Sequence, residues 1–419
     1  MITLLAMLVA VFLLAKKNSF TANFMALAAI CFYFFYVYPL FSILGVDSFY
    51  YVGFYRSFDM STFYFALVCG LIFLVGFFSF DVFLLLNRAK RSITSDFWSF
   101  KCEDEARFFF KNVFYLIFVF VFFYYLIGFL DSERAIKGYE VRRGEVQGSW
   151  LKLAIGLFVK SFFYGIVFCL IYVNRNKTAF LMLLFMVFYL MFGASGRAYL
   201  LFNIVLMFLC LFRLKVRDLL LFSVVFFFLF FPVIFSMKYI IYSIAVKGEI
   251  PDILAIYYKG VSPDVVVSNL GHPLISLVEV GSLIDLVGFR YFYDYIQGLF
   301  FYLRVIGLDA GYSLTYYNTE ALIGKRLSII PPGYLAFGYV QLGYLGVFFS
   351  GLFYRFVGFV CEYVYYSFGK DNEVLKFYFC YISAYTFYTG EVRVMVMNFF
   401  VPLLVLFLLR PKNMVKKVF

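Results

Sequence analysis

The chain alternates between long apolar runs and short polar connections. Apolar runs of about twenty residues predict transmembrane helices, because lipid offers no hydrogen-bond partner to an unpaired backbone. The runs do not alternate residue by residue, as the strands of a membrane barrel would. The sequence therefore predicts an all-α, polytopic membrane bundle of about eleven spans, forming one membrane domain over 1–419. The runs are 1–15, 20–44, 61–86, 108–130, 151–173, 178–193, 196–213, 218–246, 334–366, 374–391 and 395–410.

Basic residues in the short connections set the expected orientation. Short loops rich in lysine and arginine stay cytoplasmic, and these fall on one side of the bundle. The N-terminus is then periplasmic and the C-terminus cytoplasmic, in a bacterial inner membrane. The long loop 247–333 lies on the periplasmic side. The basic groups are Lys16 and Lys17, the cluster from Arg88 to Lys111, Arg175 and Lys177, the trio Arg213, Lys215 and Arg217, Lys370 and Lys376, and the tail from Arg410 to Lys417.

Two segments of the long loop carry helical periodicity. In the first, 273–288, polar residues recur at every third position: Ser276, Glu279, Ser282 and Asp285. That spacing predicts a helix with a winding polar seam. Such a helix could be re-entrant, entering and leaving the membrane on the same side. In the second, 290–304, polar residues are spaced by four, three and seven: Arg290, Asp294, Gln297 and Arg304. They share one face of an amphipathic helix, which we expect in the outer membrane interface.

Glycines follow the loop at regular intervals. The expected span 334–366 begins after Pro331-Pro332 and includes or borders Gly333, Gly338, Gly343, Gly346 and Gly351. Small residues allow helices to approach closely in lipid. We expect this long span to pack at the centre of the bundle.

Composition agrees with the pattern. The 419 residues are 65% hydrophobic and 14% charged, with a mean hydropathy of +0.93. A net charge of +12 would suggest nucleic acid in a soluble protein. Here much of it lies in short loops, where topology explains it, so no nucleic-acid partner is expected. The first apolar run has no basic residues before it, which argues against a cleavable signal peptide. The seven cysteines form no CxxC pair and support neither a zinc site nor a disulfide framework.

Two arginines sit in tight turns where charge is costly. Arg197 follows Gly193 and Gly196 at the start of a predicted helix. A guanidinium there can grip phosphate oxygens beside free helical amides, although it can also snorkel to lipid headgroups. Glu391 and Arg393 form the second charged turn. They either stabilise a helix joint, or Glu391 orients Arg393 towards a ligand.

Two residues of the long loop are candidate general bases. Glu279 lies in the apolar run LISLVEVGSLI, and His272 is the only histidine. Each could instead be a solvated loop residue. The loop 132–150 can be a lid over an anionic ligand or an ordinary solvated loop. No GxSxG, HExxH or P-loop motif occurs, and Asp47 and Asp59 are far apart. We therefore expect metal-independent chemistry with no cofactor.

Three short motifs resemble the Wzy-type O-antigen and repeat-unit polysaccharide polymerases. They are SGRAYLL at 195–201, EVG at 279–281 followed by Arg290, and PPGYLAFGYVQLGYLG at 331–346. The RX10G repeats of some members are absent, since no glycine stands eleven residues after Arg290, Arg304 or Arg326.

The resemblance implies a GT-C-type glycosyltransferase. It would join undecaprenyl-diphosphate-linked oligosaccharides at the periplasmic face, with membrane lipid, a chain-length regulator and a flippase as partners. Arg197, Arg290 and Arg393 would bind the diphosphate. Arg304 and Glu391 would also belong to the substrate-binding site. Glu279 or His272 would accept the proton. Two alternatives stay open: a lipid-linked oligosaccharide flippase, and an O-antigen ligase-like transferase.

Overall fold

The structure is a computed structural model. It describes residues 19–44, 48–51, 54–86, 215–220, 270–300, 313–325, 330–368 and 373–396, with three isolated positions at 13, 252 and 254. The spans expected at 1–15, 108–130, 151–173, 178–193 and 196–213 lie outside these residues. So do most of those expected at 218–246 and 395–410, and the loop 132–150.

Helices dominate the described part of the chain. They are α1 (Phe20–Ser42, with a π-helical stretch at Tyr33–Val37), α2 (Met60–Leu86), α3 (His272–Val278), α4 (Val280–Val287), α5 (Tyr293–Leu299), α6 (Leu314–Ile323), α7 (Gly333–Phe368), α8 (Glu373–Thr389) and α9 (Val392–Met395). Within these residues the helical class is confirmed, with one addition. The connection between α1 and α2 forms an antiparallel hairpin of β1 (Ser48–Tyr51) and β2 (Phe54–Ser57).

Three helices are long and apolar enough to cross a membrane. They are Phe20–Ser42, Met60–Leu84 and Gly333–Tyr363, which supports the expected membrane character. Polar caps mark two starts: the Ser19 hydroxyl accepts from Ala22 N, and the Asp59 carboxylate accepts from Thr62 N at 2.8 Å. Hydrogen bonds from Thr62 and Ser61 lower the pKa of Asp59.

One face of α2 is an exposed apolar strip. Its large residues recur every three or four positions, as on a single helical face: Met60, Tyr64, Leu67, Leu71, Val75, Phe78 and Val82. The opposite face buries Phe63, Cys69, Phe73 and Phe77. In a helix of this hydropathy, the exposed strip is the side that faces lipid.

The helix α7 folds back on itself, so the stretch expected as one continuous helix at 334–366 is two helical halves. Leu342 and Gly343 are not helical, with φ −159° and φ +59°. A Cβ placed on Gly346 would lie 2.0 Å from the carbonyl oxygen of Gly338. In a straight helix these residues would be about 12 Å apart. Two antiparallel halves therefore result, which we call α7a (333–341) and α7b (344–368).

Ring contacts show the direction of each half. At one end of α7a, Tyr339 packs on Phe65 near the start of α2, at 5.2 Å between centroids. At the other end, Tyr334 packs on Phe73 in the middle of α2, at 6.2 Å. The helix α7a therefore begins inside the bundle and runs towards the end where α2 starts. After the turn, α7b runs back parallel to α2, from Tyr344 beside Phe65 to Phe359 beside Phe80.

Four aromatic rings hold the centre together. Every pair among them lies between 5.1 and 6.2 Å, and they come from four different helical segments: Phe73, Tyr334, Tyr354 and Phe387. Close backbone contact supports this packing: a Cβ on Gly351 would lie 2.2 Å from the carbonyl oxygen of Phe73. Glycines in α7 thus allow close packing of helices, as predicted, while Gly343 adopts the positive φ that the turn requires.

A buried ion pair ties α2 to α7b. Arg355 is fully buried and donates to both carboxylate oxygens of Asp81, with its shortest bond at 2.7 Å. Its guanidinium also lies 5.8 Å from the centre of the Phe24 ring on α1. A charge at this position needs its partner, because the apolar surroundings cannot solvate it.

Asp81→Asn should destabilise the bundle, since it leaves Arg355 buried without its carboxylate. We expect a loss of about 3–5 kcal/mol, read as a lower melting temperature of the purified protein in detergent. The double variant Asp81→Asn/Arg355→Met should recover much of the loss, because it removes the unpaired charge. Asp285→Asn, at an exposed position, is the control. Equal melting of Asp81→Asn and this control would contradict the assignment.

Candidate functional site

Several helices begin or end at one level inside the bundle. A Cβ on Gly390, which ends α8, would lie 2.3 Å from the carbonyl carbon of Gly333. A Cβ on Gly333 would lie 2.5 Å from that of Pro273, at the start of α3, and 2.7 Å from the Tyr36 hydroxyl. We call these four residues the junction layer. Because Tyr334 packs on the middle of α2, the layer lies within the depth of the spanning helices.

Interrupted helices inside an apolar bundle expose backbone groups that need partners. One of these backbone groups is Leu335 N, which donates a hydrogen bond to the Tyr36 hydroxyl at 3.2 Å. At the other end of α7a, Arg290 N and Tyr291 N donate to the carbonyls of Val340 and Gln341, both at 2.9 Å. The turn before α5 thus caps the last carbonyls of α7a. Tyr291 and Phe292 adopt left-handed conformations there, with φ 46° and 64°.

A buried polar network lies against the junction layer. Asn318 on α6 donates to the Ser276 hydroxyl on α3 and to the carbonyl of Ile330, both at 2.9 Å. Ile330 N donates to the Thr319 hydroxyl at 3.0 Å. All three side chains are buried. The network joins α3, α6 and the segment that leads into α7. The polar face of α6 therefore points into the bundle.

Glu391 extends this network to α9. Its carboxylate is buried and accepts from the backbone N–H of Thr315 at 3.0 Å and from the Thr315 hydroxyl. Its second oxygen accepts from Arg393 at 3.2 Å. The predicted Glu391–Arg393 pair is therefore present, and the structure adds a third member that lies 76 positions away in sequence. Both expected roles are compatible with this geometry.

Arg290 is held by a second buried carboxylate. Asp294 accepts from its Nε and Nη2, both at 3.2 Å, and from Gln341 Nε2 at 2.8 Å. The Arg290 guanidinium lies 4.6 Å from the Tyr293 ring centre and 6.0 Å from that of Tyr317. Its side chain is 20% exposed. Among the described hydrogen bonds, Arg290 uses its Nε and Nη2, and a guanidinium carries five N–H donors in all.

The two arginines lie near opposite ends of α5. Arg290 precedes this helix, while a Cβ on Gly298 would lie 2.9 Å from Arg393 N. Seven residues of helix span about 10 Å. Both arginines also connect to α6, Arg290 through the Tyr317 ring and Arg393 through Glu391 and Thr315. The described part of the site is thus two carboxylate-bound arginines on a buried polar core.

The two candidate bases are positioned differently from each other. His272 begins α3 beside the junction layer, and Glu279 sits at the joint between α3 and α4. Both are half-buried. Seven positions of helix separate them by about 10 Å, so they do not form a pair. Arg197 and Arg304 lie outside the described residues.

Sequence reasoning missed several members of the site and misplaced one. Arg290 lies before its helix, because the left-handed residues Tyr291 and Phe292 delay the start to Tyr293. The contribution of Thr315, Asn318 and Thr319 was not foreseen. Their spacing of three and four along α6 was a usable signal, since it places small polar groups on one helical face.

No protein-family model, curated protein or solved structure matches the chain. The polymerase resemblance therefore rests on the features of this sequence: the short motifs, the expected span count, the aromatic content and the late long loop. In the described structure, EVG at 279–281 forms the joint of α3 and α4, and PPGYLAFGYVQLGYLG at 331–346 forms the fold-back of α7. SGRAYLL at 195–201 lies outside the described residues.

Gly390→Ala should disrupt the junction layer, because the new methyl group meets backbone atoms that cannot move aside. Gly324→Ala is the matched control: its φ is +70° against +62°, but nothing lies within 4 Å of the new Cβ. The control should lose only about 1–2 kcal/mol from the left-handed conformation. We expect Gly390→Ala to lose most of its folded yield in size-exclusion chromatography. Equal yields of the two variants would argue against the close contact.

Proposed function

We propose that this protein is a polysaccharide polymerase that joins undecaprenyl-diphosphate-linked oligosaccharides at the periplasmic face of a bacterial inner membrane. It would be a glycosyltransferase of the GT-C type with about eleven spans. The observation that carries the proposal is the pair of preorganised arginines, Arg290 and Arg393, against a buried polar core in an otherwise apolar bundle. The motif resemblance adds the reaction class.

The reaction requires little from the protein beyond positioning and charge compensation. A hydroxyl oxygen of one glycan attacks the anomeric carbon of the other, and the bond from that carbon to the diphosphate oxygen breaks. The diphosphate leaves with the bonding electrons, and the hydroxyl proton passes to a base. Arginines stabilise the leaving diphosphate because its charge grows in the transition state. Orientation of the two sugars supplies much of the remaining acceleration.

The described residues suggest a division of roles. Arg290 and Arg393 would bind the diphosphate, with Asp294 and Glu391 fixing their guanidinium planes. Arg197 and Arg304 would add charge from outside the described residues. Glu279 or His272 would accept the proton. Tyr293 and Tyr317 lie beside Arg290 and offer aromatic faces to a sugar.

The direct test incubates the purified protein with a single undecaprenyl-diphosphate-linked repeat unit and resolves the products by gel. A ladder of lengths is expected. A single transfer to a different acceptor would instead indicate a ligase. Movement of the lipid-linked sugar across vesicles without any covalent change would indicate a flippase. Either of these results would overturn the polymerase proposal.

Arg290→Ala should lower polymer formation by roughly 100-fold or more, as expected when one transition-state donor is removed. Arg290→Lys keeps the charge but loses the planar fork, so it should restore only part of the activity. Arg217→Ala is the matched control, because Arg217 also pairs with an aspartate, Asp218, but belongs to the helical residues 216–220 near the start of α8. Loss of activity in this control, or full activity in Arg290→Ala, would contradict the assigned role.

A further inference from the structure

The helix α5 lies beside α7b at the depth of the spanning helices. The Tyr295 hydroxyl is 3.0 Å from the Ser350 hydroxyl, and its ring contacts Phe337 and Phe353 at 5.0 and 5.2 Å. Phe353 lies nine positions beyond the first residue of α7b, about 14 Å along the helix. The segment therefore descends from the turn of α7 towards the junction layer.

The polarity of α5 is inverted relative to a helix on an aqueous surface. Its charged residue, Asp294, is only 6% exposed, while Ile296 is 57% and Phe300 56% exposed. The full outward set is apolar or aromatic: Tyr293, Ile296, Leu299 and Phe300. A surface helix in water places its polar side outward. Outward apolar side chains with a buried carboxylate are typical of a helix surrounded by hydrocarbon.

This outward face is continuous with the exposed face of α7b. Along α7b the exposed large residues are again apolar or aromatic. After Tyr344, which begins the helix, they lie on one helical face: Leu345, Phe349, Phe356 and Tyr363. The Phe349 ring lies 5.8 Å from that of Phe292, which immediately precedes α5. Most of α7b belongs to a stretch that is apolar enough to cross a membrane, so hydrocarbon that covers its exposed face would also reach the adjoining face of α5.

We propose that α5 is a re-entrant membrane segment whose outward face, Tyr293, Ile296, Leu299 and Phe300, contacts the acyl chains of the bilayer. The expected interfacial position of this segment is thereby replaced by one inside the bilayer. The helix then forms a wall with lipid on one side and Arg290, Asp294 and Arg393 on the other. The inference concerns the placement of α5 and holds whatever reaction the site performs.

Tryptophan quenching tests this placement. The natural tryptophans, Trp98 and Trp150, are replaced by phenylalanine, and Ile296→Trp or Phe300→Trp is introduced into the full chain. The protein is reconstituted in phosphatidylcholine vesicles with brominated acyl chains, and its fluorescence is compared with that in unbrominated vesicles. Phe300→Trp keeps an aromatic residue in place, so it remains informative where Ile296→Trp folds poorly.

Two control variants calibrate the result. Val75→Trp, on the exposed strip of α2, reports contact with lipid, and Lys325→Trp, at an exposed polar position, reports contact with water. We expect bromine to quench Ile296→Trp and Phe300→Trp about as strongly as Val75→Trp, because all three indoles would lie within the hydrocarbon core, which is about 30 Å thick. Quenching by aqueous acrylamide, as for Lys325→Trp, would overturn the proposal. Protection from both quenchers would also overturn it, because protein would then cover this face.

Discussion

The requirement that every backbone polar group inside an apolar bundle find a partner governs this structure. Three helices, α3, α7 and α8, start or stop in the junction layer, where lipid offers no hydrogen bonds. The protein meets the requirement with side chains that a fully apolar bundle would not need: Tyr36, Asn318 and Thr319. Each bonds a backbone group close to a break. The buried polar core is therefore first a consequence of interrupted helices. Within this core, Thr315 and Glu391 bring α6 and the start of α9 into contact.

The arginines depend on that core for their geometry. Glu391 holds Arg393 while it also anchors the start of α6, and Asp294 holds Arg290 while it accepts from Gln341 at the end of α7a. In each case one carboxylate fixes a guanidinium and a helix end together. Buried ion pairs contribute little net stability, but a guanidinium whose direction is fixed loses less entropy when an anion binds. The proposed diphosphate site therefore depends on the same carboxylates that bind the backbone and side-chain groups at the helix ends.

Sequence patterns predicted the elements whose signals are local. The ends of α1, α2 and α8 follow from apolar length, and the Glu391–Arg393 pair follows from a separation of two residues. The fold-back of α7 did not follow, because both halves are apolar and glycine-rich, and hydropathy is the same for a straight helix and a hairpin. Only Gly343 marks the turn, and its φ of +59° is not readable from the sequence. The spacing of polar residues along α6 marked Thr315 as a member of its polar face, but its pairing with Glu391, 76 positions away, had no local signal.

The central claim is that α7 turns back at Leu342 and Gly343, which places the junction layer inside the bundle. Disulfide formation in the double variant Gly338→Cys/Ser350→Cys tests it most directly. A Cβ on Gly338 would lie 3.0 Å from that of Ser350 and 2.8 Å from the carbonyl oxygen of Gly346, a contact that a shift of a few tenths of an ångström relieves. Twelve positions of straight helix would instead separate the two residues by about 18 Å. We predict efficient oxidation to an intramolecular disulfide in membranes, identified by mass spectrometry of the cross-linked peptides, with Gly338→Cys alone as the control. A double variant that stays reduced under oxidant while folded would contradict the fold-back and the site built on it.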